Sequence, residues 1–165
     1  MHLFPELRPT PWSSALDERY TLREDVQWAL GKVGAKRFDL DVAACEESHH
    51  AEVWYSREDD GLVKPWFGNV WCNPPYSDIE PWVAKAWASL EMTHRGVKSV
   101  SMLLPATRTE QPWWQKLIEP HRDKSPRLTS HFLPGRTRFG LPGNPLGIGV
   151  GSPPFACVLL IFRRG

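Results

Sequence analysis

The sequence predicts an open three-layer α/β domain with a mainly parallel sheet, on three observations. Short apolar runs alternate with helical patterns along the chain. The strongest runs are residues 97–104, the best strand in the chain, and 155–162, nearly continuously apolar as strands buried on both faces are. Polar residues stand where two other runs end, at Asp41 and Asn73, the edge of such sheets where ligands bind.

The elements follow in order. Residues 1–11 read as an irregular arm punctuated by Pro5, Pro9 and Pro11. A helix is expected from Ser13, breaking near Thr21 and carrying Val26 and Leu30 before Gly31 and Gly34 end it. Residues 38–42 alternate as a short strand, and 53–55 read as a strand fragment. After the Asp60-Gly61 turn signal, residues 69–72 form a second strand that runs into Asn73-Pro74-Pro75-Tyr76. Ser77 or Asp78 is expected to cap a helix reaching Leu90, with Val83, Ala86, Trp87 and Leu90 on its inner face. Residues 97–104 form the best strand, followed by a short helix from near Thr109. Residues 134–154 hold 6 Gly and 5 Pro, which predicts an irregular loop, long enough to act as a functional lid. The last strand closes a single domain over residues 1–165, with that loop inside it.

Composition excludes several classes. With 41% hydrophobic and 24% charged residues the chain is neither a disordered acidic tail nor a supercharged peptide. Three widely spaced cysteines argue against a disulfide framework and for a reducing compartment. The first residues lack a basic region followed by an apolar run, and no stretch has membrane-spanning length. A soluble cytoplasmic protein is therefore expected. Cys45, His49, His50 and Cys72 have metal-ligand chemistry, but their spacing matches no compact site, so no metal is expected. The net charge of +1 conceals an asymmetry: residues 1–93 carry −7 and residues 94–165 carry +8. Arg108, Arg136 and Arg138 belong to the basic part, which either meets phosphates or balances an acidic face.

The tetrapeptide carries the clearest chemistry. Two prolines stiffen the chain after Asn73, whose side chain offers a carbonyl acceptor, while Tyr76 offers a flat ring. These parts suit a planar exocyclic amine: Asn73 and the Pro74 carbonyl accept its two N–H bonds, and Tyr76 stacks on its ring. Such an amine is a weak nucleophile, so catalysis would rest on orientation and charge placement. Asp41 reads as a ligand for an amine or hydroxyl, or as a solvated turn carboxylate. Asp59 and Asp60 read as cofactor contacts or as an ordinary Asp-Gly turn.

Across most of its length the chain resembles the phage-type DNA N6-adenine methyltransferases. The resemblance rests on Thr10-Pro11, on 38–44 (Phe-Asp-Leu-Asp-Val-Ala-Ala), on Asp59-Asp60-Gly61-Leu62 with Trp66, and on Asn73-Pro74-Pro75-Tyr76 with Trp82-Val83. Further along it includes Leu103-Leu104-Pro105-Ala106 with Arg108 and Trp113, then Gly135-Arg136 with Arg138-Phe139-Gly140, then Ser152-Pro153-Pro154-Phe155. It implies a reduced Rossmann-like class I methyltransferase fold that uses S-adenosyl-L-methionine to methylate adenine N6 in double-stranded DNA, in the host cytoplasm if phage-encoded. It implies catalysis by Asn73, Pro74, Pro75 and Tyr76. Thr10, Pro11, Asp41, Ala43, Asp59, Asp60, Leu62 and Asn73 would hold the cofactor, and Tyr76, Arg108, Arg136 and Arg138 the substrate. Cytosine N4 is the alternative target, and an inactive nucleic-acid-binding accessory protein the alternative class. Where the wider superfamily has a Gly-rich loop, this chain has Asp41-Val42-Ala43-Ala44-Cys45, so Ala43 and Ala44 must allow the cofactor's approach.

Overall fold

Strand burial sets the architecture. In the computed structural model, which describes residues 18–92, 96–151 and 155–165, six strands form one sheet and two more a separate ribbon. The elements in chain order are β1 (Tyr20–Thr21), α1 (Arg23–Val33), β2 (Leu40–Asp41), β3 (Val53–Trp54), β4 (Gly68–Cys72), α2 (Glu80–Glu91), β5 (Val97–Pro105), α3 (Pro112–Leu117), β6 (Leu128–Phe132), β7 (Phe139–Gly140) and β8 (Cys157–Arg163). The sheet order is β3-β2-β4-β5-β8-β6. The first four are mutually parallel, and β8 runs antiparallel to both β5 and β6.

Residues 99–105 of β5 and 157–162 of β8 are all buried, so both faces of the sheet are covered there. This is the three-layer arrangement the apolar runs imply. Val83, Ala86 and Leu90 on α2 and Val26, Ala29 and Leu30 on α1 join the same apolar cluster as β4, β5 and β8. Trp66, Trp71 and Trp114 are its largest fully buried side chains.

Several local expectations need correction. The part of the first expected helix at residues 13–17 lies outside the described residues. The break at Thr21 is a strand, β1, and the helix starts only at Arg23. Gly31 sits inside α1, whereas Gly34 ends it in the left-handed region, with φ of 78°. Neither Ser77 nor Asp78 caps α2: Ile79 is its N-cap residue, and Pro81 lies in the first turn. The short helix begins at Pro112 rather than near Thr109. β6 has no counterpart in the sequence reading.

The Gly/Pro-rich segment is not wholly irregular, because β7 lies within it and pairs antiparallel with β1. Close approach explains two of its glycines. A Cβ on Gly140 would overlap the Pro145 carbonyl, and one on Gly147 the Phe139 carbonyl. Among the described residues no helix is long and apolar enough to cross a membrane.

Candidate active site

The chain leaves β2 toward β3 on one side of the sheet and leaves β4 toward β5 on the other. β2 and β4 are neighbours, so their carboxyl ends flank the switch point where open α/β sheets bind ligands. A cleft of about 550 Å³ opens there, within the usual range of ligand pockets. Asp41, Ala43, His50, Asp60, Leu62 and Asn73 are among the residues that line it.

Asp41 ends β2, in register with Trp71 of β4. Its carboxyl is 2% exposed and accepts the backbone N–H groups of His50 (3.0 Å) and Ala43 (3.4 Å). Burial outweighs both bonds and raises its pKa from the ordinary 3.8 to about 7. His50 is moved the opposite way for the same reason: burial lowers it to about 4, so the ring is neutral at physiological pH. The far wall is the turn after Ser56. A Cβ on Gly61 would overlap the Val42 carbonyl, so this glycine lets the turn lie directly on the chain leaving β2.

Asn73 follows β4, and its Nδ2 donates to the Arg19 carbonyl at 2.8 Å. Its Oδ1 is buried with no partner among the described residues, as are Thr21 Oγ1 and His50 Nε2, two further atoms of cleft-lining residues. Buried acceptors and donors left unpaired are costly, and three around one cleft mark a place for a polar ligand.

The expected residues divide. Asp41, Ala43, Asp60, Leu62, Asn73 and Pro75 come together in the cleft. Pro74 is buried behind it. Asp59 is turned to a structural task, accepting Ser56 N–H and Oγ at 2.9 and 3.0 Å, which lowers its pKa. Asp60, with φ of 58°, accepts the Leu62 N–H instead and lines the cleft.

Tyr76, expected to stack on the base, is packed among apolar rings. Its ring is 7% exposed, meets Phe139 and Phe155 edge-on, and its hydroxyl donates to the Leu103 carbonyl at 3.2 Å. Arg136 and Arg138 are exposed and Arg108 half-buried, and none of the three lines the cleft. Thr10 and Pro11 lie outside the described residues. Sequence reasoning missed Arg19 and Thr21 and weighed His50 only as a metal ligand; they reach the cleft through the β1–β7 pairing and the loop after β2, and no local pattern places them there. Among the described residues no three His, Cys, Asp or Glu side chains gather as a metal site.

The class follows from the architecture and from its likeness to a solved structure, a candidate RNA methyltransferase of Pyrococcus horikoshii. The two match over 85% of this chain and 81% of the other, with TM-score 0.51 and 9% identity. The fold is thus a reduced Rossmann-like class I methyltransferase fold.

The family model for DNA N-6-adenine-methyltransferase (Dam) matches residues 17–124, and the chain belongs to this family. It is 40% identical over 88 residues to a DNA N-6-adenine-methyltransferase of Escherichia phage T1, covering 52% of this chain and 34% of the relative. It is 38% identical over 69 residues to that of Haemophilus phage HP1, covering 41% and 38%. The matched stretch therefore spans little more than a third of either relative.

Proposed function

We propose that the chain binds S-adenosylmethionine between the ends of β2 and β4 and methylates the N6 amine of adenine in double-stranded DNA. One observation carries this reading. The Asn73 amide nitrogen is committed to Arg19, leaving its oxygen buried, unpaired and in a residue that lines the cleft. That oxygen suits an exocyclic N–H donor.

The cleft fits the cofactor in size and in its unpaired polar groups. When bound, S-adenosylmethionine supplies an electrophilic methyl group. Asp41, Ala43, Asp60 and Leu62 hold it, and the family resemblance adds Thr10 and Pro11. Asn73 Oδ1 accepts a hydrogen bond from one amine N–H and fixes the nitrogen's orientation, while the prolines restrict the motion of the turn. No side chain need take a proton before methyl transfer. Tyr76 supports the turn from behind.

Arg108, Arg136 and Arg138 face the DNA backbone. Replacing Arg136 and Arg138 together lowers the salt slope of duplex binding by about 0.9 for each phosphate left without its cation. An unchanged slope removes both from the interface. The protein acts in the cytoplasm, consistent with its three free thiols.

The test is nucleoside mass spectrometry of duplex DNA after incubation with methyl-labelled cofactor. Label in N6-methyladenine is expected. Label in N4-methylcytosine instead moves the reading to the other amine, and cofactor binding without any base label makes the chain an accessory protein.

A further inference from the structure

We infer that the β1–β7 ribbon is a positioning device that fixes which atom of Asn73 faces the cleft. The inference rests on the proposed methyltransferase role of Asn73, but its structural half can be tested separately. An asparagine amide presents an acceptor on one side and a donor on the other, and only the acceptor can hold an amine. Here the choice is made by the Arg19 carbonyl, which takes Asn73 Nδ2 at 2.8 Å and leaves Oδ1 unpaired.

Arg19 directly precedes β1, so the position of its carbonyl depends on what holds β1. Three contacts do so, and all reach residues C-terminal to β6. Tyr20 and Thr21 pair with Gly140 and Phe139 of β7. The Arg19 guanidinium lies over the rings of Phe139 and Phe155, at 5.9 and 5.0 Å from their centroids. Glu47 accepts the Tyr20 hydroxyl at 3.1 Å and the Gly143 N–H at 3.0 Å, tying β1 to the turn after β7. Phe139 also meets the Tyr76 ring, so one side chain braces both ends of the Asn73–Tyr76 turn. Phe139 and Glu47 do not line the cleft, which separates positioning from ligand contact.

The experiment combines hydrogen exchange at the Asn73 side-chain amide, read by NMR, with single-turnover methylation of duplex DNA. In the unaltered protein the Asn73 amide protons exchange slowly. Phe139→Ala speeds that exchange and lowers the single-turnover rate about tenfold or more, while cofactor affinity stays within about twofold. Phe139→Leu restores most of both. Glu47→Ala, at an exposed position that leaves the core intact, moves both readouts the same way by less. Exchange in the unaltered protein as fast as at an exposed asparagine overturns the inference. So does parental exchange and rate in a folded Phe139→Ala protein. If the unaltered protein shows the protection but methylates no adenine, the proposed function falls while the positioning role stands.

Discussion

The two halves of the sheet differ in what they do with buried polar groups. On the β5-β8-β6 side, Cys157 to Phe162 are fully buried and apolar, and the charges of Arg122 and Asp123 find partners. Arg122 bonds Glu119 at 3.1 Å, and Asp123 accepts both the backbone N–H (2.7 Å) and the hydroxyl of Ser130. On the β2-β4 side a carboxyl, an imidazole, a hydroxyl and an amide oxygen are buried around one cleft, three of them with an unpaired atom. The β5-β8-β6 side keeps scattered unpaired atoms of its own, Ser101 Oγ in β5 and Arg127 Nε just before β6, but neither these nor Thr137 Oγ1 line the cleft. The sealed half stabilises the fold; the other bears the cost of a preorganised polar site.

The contrast is tested most directly at Asn73. Replacing it with Ala removes the acceptor proposed to hold the amine and is expected to slow methyl transfer by about a hundredfold or more, or about 2.7–4 kcal/mol. Cofactor affinity should stay nearly unchanged, and single-turnover kinetics at saturating cofactor and DNA separates the two. Near-parental transfer by the folded variant would remove the site's central residue.

The reverse experiment is Leu160→Ala, in the sealed half. Leu160 is fully buried in β8, paired with Met102 and Ser130. The truncation is expected to cost about 2–5 kcal/mol of stability. Denaturant unfolding measures it, while cofactor affinity at a temperature where the variant stays folded should match the parent. A binding loss comparable to that at Asn73 would mean the halves are not energetically separate.

The contrast also explains what the sequence made legible. A continuous apolar run marked β8, and an apolar-rich run marked β5, because those strands meet the core on both faces. Asp41 and Asn73 were legible as cleft residues because one ends β2 and the other directly follows β4. β6, with buried Leu128 but half-buried Thr129, Ser130 and His131, lacks such a run and owes its place to pairing with β8. The packing of Tyr76 was not legible because its motif says nothing of Phe139 and Phe155, far along the chain. Thr21 and Arg19 are set by a two-residue ladder to β7, whose own sequence, Phe-Gly within Gly/Pro-rich surroundings, carries no strand pattern.

A pH titration probes the polar half at Asp41. In the unfolded chain its carboxyl titrates near 3.8 and in the folded chain near 7. The folded protein thus holds this proton more tightly, and the stability tied to it is lost as pH rises from about 4 to about 7. Ligand binding has the opposite sign. A cofactor donor is held best by the ionised carboxylate, so affinity is full above about pH 8 and falls about tenfold by pH 6. His50, lowered to about 4, stays neutral across this window, and Cys72, raised by burial, stays a thiol. Calorimetry with S-adenosylmethionine from pH 6 to 8 reads the change, and a flat profile would place the carboxyl outside the ligand contact.

The smallest expected effect compares two glycines. Gly31 lies inside α1, exposed, with no atom within 4 Å of an added Cβ. Gly31→Ala there lowers the entropy of the unfolded chain and suits the helix, which is expected to stabilise the protein by about 0.5–1 kcal/mol. Gly61 offers no such space, because its Cβ would overlap the Val42 carbonyl and press on Trp82 at 3.1 Å. Gly61→Ala must therefore push the turn bearing Asp60 and Leu62 away from the chain leaving β2, a cost of about 1–3 kcal/mol with weaker cofactor binding. Thermal unfolding should move in opposite directions for the two variants, and only Gly61→Ala should change the calorimetric affinity. If both substitutions raised the melting temperature and left binding alone, the close packing of that turn against β2 would not be what shapes the cleft.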